Sequence, residues 1–209
     1  MTRISSFGLR EARGLGAGGS FWTCRVTRRR AGPFGPAWIN SGTPIATVSL
    51  PVSRPPRLKG FEYIGLHRYF LTFCARSRQT VFADPITARK TVAQFLRTAS
   101  DEHFLVLAYC LMRDHAHLLV EGATARADVR RFAKMSKQRS GAAHALRCGG
   151  RLWQEGYHDR ILRKDEDVKE IARYILENPV RAGLVRAPTE YPYLGSEVWT
   201  LAELFDAFQ

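Results

Sequence analysis

The 209-residue chain has only four cysteines, Cys24, Cys74, Cys110 and Cys148, and no two lie close enough in sequence to form a ligand or redox pair. Their separation excludes zinc ribbons and points to a reduced cytosolic protein rather than a disulfide-stapled secreted one. No apolar run approaches the roughly eighteen residues that a membrane helix needs, and the N-terminus lacks the unbroken apolar stretch of a secretion signal, so no membrane partner is expected. Acidic residues are scarce as well. Nineteen Asp and Glu stand against thirty-two Lys and Arg, a formal charge of +13, which makes a polyanion, nucleic acid first, the expected partner.

The imbalance is uneven. Residues 1–58 contain nine Arg, no Lys, one acid, eight Gly and six Pro. Such a stretch buries too little apolar surface to offset the entropy of ordering the chain. Residues 1–58 are expected to be a disordered basic extension, either a DNA-binding arm or an upstream segment without a role. A folded domain is expected over 59–198, followed by a helical tail over 199–209.

Within the domain, Tyr69–Cys74 reads as a first strand rich in aromatic and β-branched residues. Asp84-Pro85 introduces a helix over about 86–100 with Ile86, Val92, Ala93, Phe95 and Leu96 as its buried stripe. Phe104–Met112 is nearly continuous in apolar residues and reads as a central strand; after a turn at Arg113-Asp114 the chain returns as a strand over 115–120. Helical spacing resumes over about 127–145, with Val129, Phe132, Ala133 and Leu146 on the apolar side and Gly149-Gly150 ending it. A short strand follows over 158–162. A last helix is expected from an N-cap at Asp165 through Glu177, closed by Asn178-Pro179. The order β-α-β-β-α-β-α predicts an α+β fold: a ferredoxin-like four-stranded sheet with two helices on one face and a further C-terminal helix.

His115-Ala116-His117 is the sharpest local feature, because a strand puts residues two apart on one face and brings both imidazoles together. Such a pair can hold a divalent metal, or be two polar residues on an exposed sheet face. Ala116, Leu118 and Val120 alternate with it and suit the underside of the helices, which leaves the His face for function. In the last helix Val168, Ile171, Ala172 and Ile175 form the apolar stripe, with Tyr174 beside it and Asn178 one turn on. Each has a bland reading: interfacial packing for Tyr174, a C-terminal cap for Asn178. Arg126, Arg130, Lys134 and Lys137 recur at helical spacing with Arg139 nearby, and Asp128 is the only acid among them. The shortage of counter-charge favours phosphate contacts over a merely solvated face. Trp153, Tyr157 and His158 could stack on unpaired bases, although Trp153 suits the core better.

Three segments, 109–122 (YCLMRDHAHLLVEG), 152–163 (LWQEGYHDRILR) and 174–185 (YILENPVRAGLV), together with Tyr191-Pro192-Tyr193, resemble the IS200-like Y1 transposases, and among them the REP-associated tyrosine transposases. The resemblance spans about residues 60–197. It implies an enzyme in which His115 and His117, as an HUH motif, bind Mg²⁺ or Mn²⁺ with Asn178, where many relatives have Gln, as third ligand. It assigns Tyr174 as the nucleophile that attacks single-stranded or hairpin DNA and forms a 5′-phosphotyrosine. Two departures stand out: Arg113 replaces the usual Pro of the preceding loop, and Ala116 is smaller than the usual Val or Met. The family includes monomers and homodimers that exchange the tyrosine helix, and both remain open. No small-molecule cofactor is implied, and the expected location is the nucleoid-associated cytoplasm. The rival readings are a nucleic-acid-binding regulator that keeps the fold without cutting, and a metal hydrolase of small phosphoesters.

Overall fold

The computed structural model describes residues 60–163 and 166–206. The N-terminal extension expected over 1–58 and the cap expected at Asp165 lie outside them. Five strands form one antiparallel sheet: β1 (Arg68–Cys74), β2 (Phe104–Leu111), β3 (His115–Gly122), β4 (His158–Ile161) and β5 (Leu194–Gly195), in the order β4-β1-β3-β2-β5. Helices α1 (Pro85–Asp101), α2 (Val129–Cys148), α3 (Val168–Arg181) and α4 (Leu201–Asp206) complete the chain. The first four strands with α1 and α2 are the ferredoxin-like arrangement the sequence predicts; β5, two residues on the β2 edge, is an addition.

Local chemistry sets the helix boundaries. Asp84 accepts from the Thr87 amide at 3.0 Å with Pro85 in the first turn, and Asp128 accepts from Arg130 N at 2.8 Å. Gly149, at φ 72°, ends α2. In α3 the capping residue is Asp167, which accepts from Lys169 N at 2.8 Å. That helix also runs past Asn178-Pro179 to Arg181 instead of closing there.

The sheet divides two cores. On one face Tyr69, Leu71, Phe73, Val106, Ala116, Leu118 and Val120 pack with Phe95 of α1 and Phe132 of α2. On the other, Phe70, Ala108, Cys110 and Leu119 pack with Ala172, Ile175 and Leu176 of α3. A register shift between Val106 and Ala108 lets neighbouring Leu107 and Ala108 both serve the α3 face. Trp153 lies in the first core, 5.9 Å from Phe95 and Phe73 between ring centroids, as its size suggests.

Two expected stripes are corrected. Ile86 is 46% exposed and Leu146 92% exposed. In their place α1 buries Thr87, Thr91 and Thr98, and α2 buries Ser136, Ser140 and His144. The seam between these helices is narrow and polar, so small hydroxyl residues fill it, and an apolar pattern cannot reveal it. Ser140 Oγ, for instance, donates to Ser136 O at 2.6 Å and accepts from Trp153 Nε1 at 2.9 Å. Among the described residues no helix is long and apolar enough to cross a membrane.

Burial pushes His144 below the ordinary histidine range, reinforced by nearby Arg147, and pushes His117 well below it, reinforced by His115, Arg78 and Arg181. The unfolded chain therefore takes up protons at these positions before the native state does. Their stabilisation is complete above the unfolded value near 6.5 and is lost as pH falls below it. With chelator present, the melting temperature is expected to fall between pH 7.5 and 5.5, and His144→Gln to flatten the dependence. A midpoint that rises on acidification contradicts this.

Candidate active site

The site lies where α3 packs over β2 and β3, with Phe70 of β1 against Tyr174. Register places Thr72 of β1 opposite His117 of β3, with His158 of β4 and Cys110 of β2 continuing the same row. His115 and His117 thus share a face, and their rings converge, with Nε2 atoms 3.1 Å apart and centroids at 4.7 Å. The sequence left this face open; instead α3 packs on it, and His117 is only 3% exposed. The apolar alternates Ala116, Leu118 and Val120 face the α1–α2 core as expected.

Each imidazole is held from behind. Asp114 Oδ1 lies 2.6 Å from His115 Nδ1, and Arg78 Nε lies 3.3 Å from Asp114 Oδ2. Burial acts to raise the Asp114 pKa, but the His115 hydrogen bond and the charges of His115 and Arg78 outweigh it and hold the carboxyl below the ordinary range. An ionised Asp114 accepts only, so His115 Nδ1 carries the proton and its Nε2 keeps a lone pair when the ring is neutral. Thr72 Oγ1 lies 3.0 Å from His117 Nδ1. A hydroxyl donates or accepts and tolerates either tautomer of the neutral His117 ring. Without a cation the 3.1 Å separation suits an Nε2–H of His117 donating to His115 Nε2; with Nδ1 protonated on both rings, both Nε2 lone pairs would face one shared cation.

Tyr174 reaches the same place from α3. Its ring centroid is 6.5 Å from that of His117 and 6.3 Å from that of Phe70, edge to face in both cases. Asn178, one turn later, donates Nδ2 to the Tyr174 carbonyl at 3.0 Å and to the Ile175 carbonyl at 3.3 Å. The second bond explains why α3 survives Pro179. Proline has no N–H for the carbonyl four residues back, which is that of Ile175, and the Asn178 amide replaces it. Among the described residues no three His, Cys, Asp or Glu side chains cluster for a metal. The converging Nε2 pair is a donor type that fits a divalent cation, and an amide oxygen such as that of Asn178 is another.

Asn178→Ala is expected to lower stability by about 1 kcal/mol, the order of one hydrogen bond, with Asn178→Asp worse because a carboxylate also sets negative charge against the two carbonyl oxygens. Urea unfolding checks both. Unchanged midpoints would show that the amide does not support the helix.

The basic residues are distributed differently. Because α2 packs on the opposite sheet face, Arg126, Arg130, Lys134, Lys137 and Arg139 are separated from the histidines by the sheet. Arg130 pairs with Asp128 at 3.2 Å and Arg139 with Asp101 at 2.5 Å. Lys137 Nζ donates to the carbonyls of Gln154, at 2.7 Å, and Gly156. Among the described residues Arg126 and Lys134 form no ion pair and are exposed. The local shortage of counter-charge is thus corrected in three dimensions: α1 and its cap bring Asp84, Asp101 and Glu102 to Arg147, Arg139 and Arg131.

Sequence reasoning missed Thr72, Phe70 and Arg181. Thr72 is forty-five positions from His117, and only strand register joins them. Arg181 stacks its guanidinium 4.2 Å from the Tyr174 ring centroid and donates Nη2 to the Tyr174 carbonyl at 2.6 Å.

A family model described as "Transposase IS200 like" matches residues 64–178. A protein of Haemophilus influenzae (strain ATCC 51907 / DSM 11121 / KW20 / Rd), provisionally named a REP-associated tyrosine transposase, is 24% identical over 150 residues, covering 66% of this chain and 84% of its own length. A solved structure of a REP-associated tyrosine transposase bound to a REP hairpin superposes with a TM-score of 0.57 at 19% identity, covering 66% of this chain and 82% of that one. At that identity the likeness is one of fold.

Proposed function

The chain belongs to the IS200-like transposase family, and from that premise we propose that it cuts and rejoins single-stranded DNA beside a hairpin through a covalent Tyr174 intermediate. One observation carries this reading: a tyrosine on α3 and a converging imidazole pair on β3 meet on one sheet face, with the Tyr174 and His117 rings 6.5 Å apart. Chain segments about sixty residues apart supply the two halves, as a site assembled by folding requires.

In this mechanism Asp114 and Thr72 orient the two imidazoles, and His115, His117 and the Asn178 oxygen form the metal-binding set. A bound Mg²⁺ or Mn²⁺ supplies Lewis-acid polarisation of the scissile phosphate. The Tyr174 oxygen forms a bond to phosphorus as the bond from phosphorus to O3′ breaks, leaving a 5′-phosphotyrosine and a free 3′-hydroxyl. Because the phosphodiester energy is kept in the tyrosyl ester, attack by a 3′-hydroxyl rejoins strands without a nucleoside triphosphate. Hairpin DNA is the favoured substrate because the fold neighbour holds one, and Arg126 and Lys134 offer exposed cations to a phosphate backbone.

The test incubates the full chain with single-stranded hairpin oligonucleotides and Mn²⁺, traps covalent complexes, and maps the modified peptide by mass spectrometry. An adduct on Tyr174 that chelator suppresses is expected. Hairpin binding unaffected by chelator, with no cutting under any divalent ion, would instead identify a regulator that uses the fold for binding alone. Hydrolysis of soluble phosphoesters independent of Tyr174 would favour a small-substrate hydrolase.

A further inference from the structure

Arg181 lies three residues beyond the stretch matched to the family model. It stands seven positions after Tyr174, two helical turns on and so on nearly the same side of α3. A side chain that far along would ordinarily have no business with the tyrosine ring. The Cα–Cβ bond of a helical residue tilts toward the helix N-terminus, however, and arginine is long enough to use that tilt. Here the guanidinium returns to cover the Tyr174 ring at 4.2 Å, donates Nη2 to the Tyr174 carbonyl at 2.6 Å and meets Glu177 Oε2 through Nη1 at 3.4 Å. Arg173 fixes Glu177 from the other side at 2.9 Å. The arginine is therefore held at three points rather than free on the surface.

We propose that Arg181 is the positioning residue for the nucleophile: a cationic lid on the Tyr174 ring that aims the phenol and meets the arriving phosphate. This rests on Tyr174 acting as the nucleophile. The ring already has Phe70 and His117 against it, each approximately edge to face. Arg181 adds a contact over the ring itself, which restricts the ring's swing beyond what the edge contacts do. Its side chain is 41% exposed, and the guanidinium has more N–H donors than the two hydrogen-bonding contacts use. A phosphate approaching the tyrosine therefore meets a directed positive charge. Lysine would keep the charge but lose the planar stack and the fork of donors.

The experiment compares Arg181→Met, Arg181→Lys and Glu177→Gln in the full chain. Adduct formation is measured at saturating hairpin alongside hairpin affinity, melting temperature and the ring resonances of ¹³C-labelled tyrosine, with Tyr174 assigned from the signal missing in Tyr174→Phe. Arg181→Met is expected to slow adduct formation about tenfold or more, the scale of a misaimed reacting group, with hairpin affinity and melting temperature near those of the parent. Arg181→Lys should recover part of the rate. The Tyr174 ring signals should move in Arg181→Met and move less in Glu177→Gln, which removes one of the three anchors but keeps the guanidinium over the ring and its bond to the Tyr174 carbonyl. A parent-like rate in Arg181→Met, a rate loss that only tracks melting temperature across the variants, or unmoved ring signals would each overturn the role. The ring signals need no DNA chemistry, so they report on Arg181 even if an adduct that survives Tyr174→Phe shows the nucleophile to be another residue.

Discussion

Replacing Tyr174 with phenylalanine is expected to suppress covalent capture of hairpin DNA by at least about ten-thousandfold, the scale seen when a reacting nucleophile is deleted, while binding and stability change little. The contrast follows from how the residue is held. Phe70, His117 and Arg181 all touch the ring, which phenylalanine keeps. The carbonyl that accepts from Arg181 and Asn178 belongs to the backbone and is untouched by the substitution. Only the oxygen that would join phosphorus disappears. Water entering in its place would release a strand by hydrolysis without storing the bond energy, so rejoining is lost along with the adduct. Denaturing electrophoresis of end-labelled hairpins reads the adduct, and a mobility shift with chelator reads binding. Adducts retained in the variant would move the nucleophile to another residue; binding lost with them would make Tyr174 a DNA contact instead.

Much of this arrangement was legible in the sequence because its chemistry is local. The β3 alternation of His115 and His117 with Ala116, Leu118 and Val120 fixes which residues share a face, and Asp84-Pro85, Asp128 and Gly149 mark helix ends by their own hydrogen bonding. What lay hidden depends on partners distant in the chain. Thr72 becomes a histidine partner only through strand register, and the shift at Leu107 leaves no alternating pattern to read. Proline suggests a helix end at residue 179, but the Asn178 side chain supplies the bond that proline removes, so α3 reaches Arg181. Arg131, Arg139 and Arg147 of α2 look short of counter-ions because their acidic partners, Glu102, Asp101 and Asp84, come from α1 and its caps. Charge patterning along one helix cannot count charges that arrive from another.

That same accounting of charge makes a second large effect expected at the histidines: Mn²⁺ should bind the Tyr174→Phe protein about 10- to 100-fold more tightly with hairpin DNA than without, within the usual range of coupling between sites. The proposed donors to the ion are two imidazoles and an amide oxygen, none of which carries a negative charge. Asp114 is the carboxylate bonded to the pair, but it is committed to His115 Nδ1 and Arg78. Arg78 and Arg181 both act on His117 as positive charges, which opposes a cation at the pair. A phosphodiester brings the missing anionic oxygens. Linkage then requires Mn²⁺ to raise hairpin affinity by the same factor, which checks that both titrations are at equilibrium, and titrations at fixed ionic strength separate ligation by the phosphate from a general salt effect. Electron paramagnetic resonance titration of free Mn²⁺, repeated at several hairpin concentrations, measures one side of the cycle, and hairpin binding at several Mn²⁺ concentrations measures the other. Tight Mn²⁺ binding to the DNA-free protein, or an Mn²⁺ affinity that hairpin DNA leaves unchanged, would place the ion on donors other than these.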